Sequence, residues 1–306
     1  GNIKDWTANP FKPIVKNNYL IGRGANDMKS SIACFLSAVN NFLKNNKKID
    51  GSISFLITGD EEGQAINGTK KVVDYLIKKK EKIDFCIVGE PTNPNKLGEM
   101  IKIGRRGSLS CNLEVQGSQG HVAYPHLSKN PINTLIAICK KLKERQLDKG
   151  NKHFQPSNLE FTGIYVDNRA HNVIPARAKT QFNIRYNNFH TAVSLKKMIK
   201  TNIKSICKKN KIKFKIVFST SGDSFLTKPG TTIQMAKKII KKITKINTTF
   251  STTGGTSDAR FIRKIAPCLE FGLVNKTMHK VDECVSLFDL KKLTKIYNKI
   301  LIEYFK

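Results

Sequence analysis

Ile53-Ser54-Phe55-Leu56-Ile57-Thr58-Gly59-Asp60-Glu61-Glu62-Gly63 is the stretch on which the reading of the fold turns. An apolar run of strand length stops at a glycine and three successive acids. In open α/β sheets chemistry sits beyond the carboxyl ends of the strands, where a side chain is held better than on a free loop. Three adjacent carboxylates repel one another unless some face water or a cation holds them. An acidic surface turn fits the same letters, so the decision rests on whether the chain returns matching ligands to the same edge.

Upstream, Tyr19-Leu20-Ile21-Gly22-Arg23-Gly24-Ala25-Asn26-Asp27-Met28-Lys29 reads as a short strand, a glycine-punctuated turn and the start of a helix. Ile32, Phe35, Leu36, Val39, Phe42 and Leu43 give that helix one apolar face. Gly22 and Gly24 permit a tight turn that sets Asp27 at the mouth of the sheet; a helix-capping aspartate is the alternative. Gly-Arg-Gly lacks the spacing of a dinucleotide fingerprint. Downstream, Gly68 and Thr69 open a helix with Val72, Val73, Leu76 and Ile77 inward. It leads to Phe85-Cys86-Ile87-Val88-Gly89-Glu90-Pro91, again an apolar strand ending in a glycine and a carboxylate. Alternating strand and helix bring successive strand ends to one edge of a parallel sheet, so Asp27, Glu61 or Glu62, and Glu90 can converge.

The pattern changes after Lys102. Strands are predicted over 107–116, 158–166, 177–187 and 211–218, and helices over 131–147 and 191–210. In the last strand Ile212, Phe214, Ile216 and Phe218 alternate with lysines, so one face is buried and the other wet. The order β-α-β-β-α-β is the split, ferredoxin-like arrangement. Beyond Gly222, Pro229 and Gly230, a helix through Ile233, Ile239 and Ile243, an apolar strand at 267–272 and a final helix from Asp289 resume the earlier pattern. The expected organisation is α/β: a mostly parallel sheet domain formed by residues 1–105 and 221–306, with an α+β domain inserted at 106–220. Residues 1–18 are turn-rich and begin with Gly1. A parallel sheet whose first recognisable strand comes this late is expected to have more chain upstream.

The 306 residues suffice for two cored domains, and 39% apolar content is that of a globular chain. No apolar run approaches the roughly 20 residues that span a bilayer, and no leader precedes the first elements, so a soluble cytoplasmic protein without membrane partners is expected. The seven cysteines are scattered and odd in number, which suggests neither a disulfide framework nor a thiolate zinc knuckle. A net charge of +31 invites a nucleic-acid reading. The lysines, however, are spread among asparagines and isoleucines over nearly every predicted helix, without a zinc finger, stacking aromatics or a backbone clamp. No nucleic-acid partner is expected; small anions would be steered inward.

Of six histidines, His279 lies in the polar segment Asn275-Lys276-Thr277-Met278-His279-Lys280, where an imidazole can face the same mouth as the acids. Carboxylates with one or two imidazoles suit Zn²⁺ and also admit Co²⁺ or Mn²⁺. A bridging aspartate could hold two ions, with one of the adjacent glutamates binding metal and the other accepting a proton from water.

These segments, with Gly104-Arg105-Arg106-Gly107-Ser108-Leu109, Gly120-His121-Val122-Ala123-Tyr124-Pro125-His126-Leu127 and Ser251-Thr252-Thr253-Gly254-Gly255-Thr256-Ser257-Asp258, resemble the desuccinylase branch of the M20 family of dinuclear zinc aminoacylases and peptidases. The resemblance covers essentially the whole chain. It implies a zinc-peptidase-like sheet domain carrying an inserted dimerisation domain, and a homodimer. It implies Asp27 as bridging ligand, Glu62 and His279 as further ligands of one zinc, and Glu90 as a ligand of the other. Glu61 would be the general base and His121, supplied from the partner subunit, would stabilise the oxyanion. Arg105, Tyr124, Asn172, Arg185, Gly254, Gly255, Thr256, Ser257 and Asn275 would bind the substrate. That substrate would be a small dianionic N-succinyl amino acid, N-succinyl-LL-2,6-diaminopimelate, hydrolysed in lysine biosynthesis; an acetylornithine deacetylase type of activity is the alternative. The family carries a His-x-Asp segment upstream of the position of Gly1. One tightly held zinc and one weakly held zinc are therefore expected, and a catalytically impaired truncated homologue is a further alternative.

Overall fold

The computed structural model describes residues 2–46 and 48–306. The chain forms two compact units: Gly1–Gly104 with Leu226–Thr252 and Ser257–Lys306, and Arg105–Phe225 with Thr253–Thr256.

In the first unit a four-stranded sheet runs in the order Thr249–Ser251, Met100–Lys102, Cys268–Glu270, Cys86–Val88. Its outer pairings are parallel and the middle one is antiparallel. The helices Ser30–Asn45, Thr231–Thr244 and Leu287–Tyr304 carry apolar residues three and four apart, so each presents a stripe to a common core. Cys34, Ala38 and Phe42, then Ile233, Ala236 and Ile240, then Leu293, Ile296, Tyr297 and Ile300 close on Ile101, Leu269 and Phe271. The fully buried Tyr297 hydroxyl is satisfied by donating to the Phe271 carbonyl at 2.6 Å.

A smaller antiparallel ribbon joins Ile14–Lys16, Tyr19–Ile21 and Cys284–Ser286. The Ile14–Lys16 strand lies where the sequence shows only turns. Its three residues are all exposed, so no alternation of buried and wet positions marks it. By pairing Ile21 with Cys284, the ribbon puts the glycine turn beside the segment that follows His279.

The buried strand expected at 53–58 is absent. The stretch belongs to no ladder among the described residues, and Phe55, Leu56 and Ile57 are 38%, 39% and 62% exposed. Ile53 and Phe55 retain contacts, Ile53 with the core margin and Phe55 with the Phe35 ring at 5.1 Å. An apolar run becomes a strand only where a neighbour takes its backbone hydrogen bonds, and among the described residues the Cys86–Val88 strand, at the sheet's edge, is laddered to Cys268–Glu270 alone.

The second unit is a four-stranded antiparallel sheet in the order Lys213–Gly222, Gly107–Gln116, Arg177–Tyr186, Asn158–Tyr165. The helices Pro131–Lys143 and Ala192–Lys209 cover one face. Alternate residues Leu109, Cys111, Leu113 and Val115, and Ala178, Phe182, Ile184 and Tyr186, point into this core. Asn130 caps the first helix by accepting from the Ile132 N–H at 2.9 Å, and Thr191 and Ser194 form a capping box on the second. No helix among the described residues is long and apolar enough to cross a membrane.

Candidate metal centre

The three acids of the Gly59–Gly63 turn divide into three jobs. Asp60 accepts from the Ile66 and Asn67 N–H groups, both at 2.7 Å, and these bonds hold its carboxyl below the usual range. It folds the turn back on itself. A Cβ on Gly63 would lie 2.7 Å from Asp60 Oδ1, so a side chain there would push the Asp60 carboxylate from its place in the turn. Glu62 swings to the other side and meets His279, and Glu61, between them, is half-buried.

Asp27 leaves the glycine turn ahead of the Ser30–Asn45 helix, with Gly24 in the left-handed region at φ 77°. His279, itself at φ 59°, follows the short helical turn Asn275–Thr277. Its Nε2 lies 2.9 Å from Glu62 Oε1 and 3.1 Å from Asp27 Oδ2. One ligand atom from each of Asp27, Glu62 and His279 falls within 4.8 Å of the others. Together with Arg23 and Glu283 they line a cleft of about 270 Å³.

The electrostatics fit a cation. Burial, then the like charge of Glu62, pushes Asp27 up to about 6 despite the opposing pull of His279. Burial disfavours a charge on His279, but its hydrogen bonds to Glu62 and Asp27 and their negative charges outweigh that and raise it. Two carboxylates and one imidazole converging on one point are a donor set for a first-row divalent metal, which would relieve the carboxylate repulsion. Glu61 is pushed up to about 7 by burial, then by the charges of Asp258 and Glu62, with Arg260 acting against the rise. A carboxylate poised there suits a general base at neutral pH.

Glu90 is half-buried just past the Cys86–Val88 strand and lies outside the three-residue cluster. Asn275 opens its helical turn, its N–H donating to the Asn93 carbonyl. Ser257 is buried, its hydroxyl donating to Glu270 at 2.7 Å. In the second unit Arg105 is buried and donates to the Gly255 carbonyl at 3.3 Å, with Thr256 half-buried at the end of that loop. Gly254, at φ 102°, would bring a Cβ to 2.7 Å from the Arg105 guanidinium, so glycine is what lets loop and arginine meet. His121 pairs through Gly120–His121 with Val173–Ile174, and its Nδ1 accepts from the Ala123 N–H at 3.1 Å. Its ring sits 5.9 Å from that of Tyr124, which is 57% exposed. Asn172 accepts from the Val122 N–H, and Arg185 lies on the sheet face opposite the helices.

Two residues escaped the sequence reading. Asn26 donates to the Val274 carbonyl at 2.8 Å and to Thr277 Oγ1 at 3.1 Å, tying the Asp27 turn to the segment that carries His279. Glu283 receives the backbone of the same turn. Neither stands in a spacing that signals a ligand, and only the side-chain contacts reveal them.

The sequence profile of the peptidase family M20/M25/M40 matches residues 1–303, and the chain belongs to that family. Among its relatives, a succinyl-diaminopimelate desuccinylase from Pelagibacter ubique is 67% identical over 305 residues, covering 100% of this chain and 79% of the relative. One from Wolbachia pipientis is 48% identical, covering 100% of this chain and 76% of the relative. The fold is similar to that of an aminopeptidase from Bacillus cereus, with a TM-score of 0.78 at 18% identity over 96% of this chain and 76% of the other. An M20 family metallo-carboxypeptidase from Sulfolobus solfataricus gives 0.74 at 18% identity over 98% and 80%.

Proposed function

We propose that the chain is a metal-dependent amidohydrolase that cleaves N-succinyl-LL-2,6-diaminopimelate to succinate and LL-2,6-diaminopimelate, the reaction named for its curated relatives. The observation that carries the chemistry is the convergence of Asp27, Glu62 and His279 beside a desolvated Glu61. A divalent metal held by those three ligands would supply Lewis acidity to the scissile carbonyl. Glu61 takes the proton of the attacking water on its carboxylate and returns it to the departing amine, which needs a group near pKa 7 that can act as base and then as acid.

Zn²⁺ is the metal that this donor set fits, with Co²⁺ as a working substitute. Asp27, Glu62 and His279 would hold the first equivalent, and Glu90, which lies outside their cluster, would contribute to a second, weaker one. Arg105 and the Gly254–Thr256 loop form one anion-binding element, since a guanidinium matches carboxylate geometry. His121, Tyr124, Asn172, Arg185, Ser257 and Asn275 are the other candidates for contacting substrate or oxyanion. The inserted domain is the surface through which two copies pair, and light scattering of the metal-loaded protein tests that. Seven free cysteines fit a reducing cytoplasm.

The decisive assay is release of succinate from N-succinyl-LL-2,6-diaminopimelate in saturating Zn²⁺, beside N-acetylornithine. We expect turnover of the succinylated substrate only, falling by roughly 10²- to 10⁴-fold in Glu61→Ala. Faster cleavage of the acetylated substrate would replace the desuccinylase reading with a deacetylase one.

A further inference from the structure

Glu283 is 1% exposed, and its carboxylate collects four donors. Oε1 accepts from the N–H groups of Asn26 at 2.7 Å and Asp27 at 2.8 Å. Oε2 accepts from the N–H of Gly24 at 2.8 Å and from Arg23 Nη1 at 2.9 Å. Its own carbonyl accepts from the Gly22 N–H at 2.9 Å. The turn from Gly22 to Asp27 is thus wrapped around a single side chain. A buried carboxylate is costly unless its lone pairs are filled, and here three backbone N–H groups and a guanidinium fill them.

The position of that side chain in the chain matters as much as its bonds. Glu283 stands four residues beyond His279, on the segment that enters the Cys284–Ser286 strand. One residue therefore joins the backbone that projects Asp27 to the backbone that projects His279. Asn26 makes a second, independent tie between the same two segments through Val274 and Thr277. A capping role alone would require one N–H; taking those of Gly24, Asn26 and Asp27, up to the ligand itself, fixes the direction in which Asp27 leaves the main chain.

We propose that Glu283 is a positioning residue of the metal centre: its buried carboxylate templates the Gly24–Asn26–Asp27 backbone so that the Asp27 side chain meets His279 and Glu62. This inference rests on the assignment of Asp27 as a metal ligand. Groups that orient metal ligands from behind commonly change affinity by 10- to 100-fold when altered, and the same scale applies here.

The test is calorimetric titration of the 306-residue chain with Zn²⁺, comparing wild type, Asp27→Asn, Glu283→Gln and Glu283→Asp, with far-UV circular dichroism and thermal melting of each. Glu283→Gln keeps the shape but replaces one acceptor by a donor facing an N–H; Glu283→Asp keeps the charge but draws it away from the turn. We expect Asp27→Asn to abolish tight binding, and each folded Glu283 variant to raise the Zn²⁺ dissociation constant by roughly 10- to 100-fold. The visible spectrum of the Co²⁺-substituted variants should change along with it, because the ligand geometry relaxes. Should Glu283→Gln not fold, Glu283→Asp decides. Loss of binding in Asp27→Asn with wild-type affinity in a folded Glu283 variant overturns this inference alone. Unchanged binding in Asp27→Asn overturns the ligand assignment beneath it. Loss of the native fold in both Glu283 variants assigns the residue to folding rather than to metal positioning, and overturns the inference as well.

Discussion

The Gly107–Gln116 strand and the 53–58 stretch are both read from the sequence as strands, yet they end up opposite. The first is laddered on both sides, to Arg177–Tyr186 and to Lys213–Gly222, and Leu109, Leu113 and Val115 are at most 2% exposed. The second has no ladder among the described residues and leaves Ile57 62% exposed. The difference shows that hydrophobicity proposes a strand while its neighbours decide it. It also separates two kinds of work. The laddered sheet holds its unit together, whereas the unladdered run leads directly into the turn that bears Glu61 and Glu62. Mutational effects should therefore split between stability and chemistry.

The largest expected effect is on chemistry. Removing divalent metal with a chelator should take turnover to background, while amide exchange at Leu113 and Phe182 stays unchanged; faster exchange there would erase the proposed separation. On the stability side, Phe182→Ala empties a fully buried ring position and should cost about 3–5 kcal/mol in chemical denaturation. The Zn²⁺ affinity should remain that of the wild type.

An intermediate effect is expected at Asp148, which belongs to the laddered unit. It accepts from Asn187 Nδ2 at 2.6 Å, from the Gly150 N–H at 2.7 Å and from the Ser157 N–H, with His190 Nε2 at 3.1 Å. Burial acts against its charge, but the hydrogen bonds from Ser157, Gly150 and Asn187 prevail and hold its carboxyl below the usual range. Its contribution is therefore complete above the unfolded value of about 3.9 and is lost as pH falls through the lower folded value. Asp148→Asn should cost about 1–3 kcal/mol at neutral pH and flatten the acid limb of a denaturation profile. Acid limbs of equal slope in variant and wild type would remove Asp148 from the account. The smallest effect belongs to the unladdered run: Ile57→Ser should change stability by no more than about 0.5 kcal/mol. A loss comparable with that of Phe182→Ala would mean that Ile57 is covered after all.

The second unit was the more legible of the two in sequence. Its strands carry period-two alternation, its helices carry apolar stripes and standard caps, and each signal lies within one element. The Ile14–Lys16 strand was invisible because all three residues face water. In the site, the acids after Gly59 and the histidine at 279 stood out as residue types. Their division of labour came only through the family resemblance and not from the residues themselves, because Asp60, Glu61 and Glu62 differ only in the direction each side chain takes from a turn whose path the Asp60 carboxylate fixes.

What the sequence determined by itself was the set of parts: two patterns of alternation, a glycine turn ending in Asp27, acids after an apolar run, His279 near the end, and the family to which that order of motifs belongs. Tertiary structure brought Asp27, Glu62 and His279, grouped until then only by resemblance, to one point, and it alone decided that Glu90 lies outside their cluster and that Glu283 grips the turn behind Asp27. The physical reason is distance along the chain. His279 meets Glu62 across 217 positions, and Glu283 meets Asn26 across 257. Local spacing fixes periodicity, caps and turns, but contacts over such separations exist only once the ribbon and the core have closed.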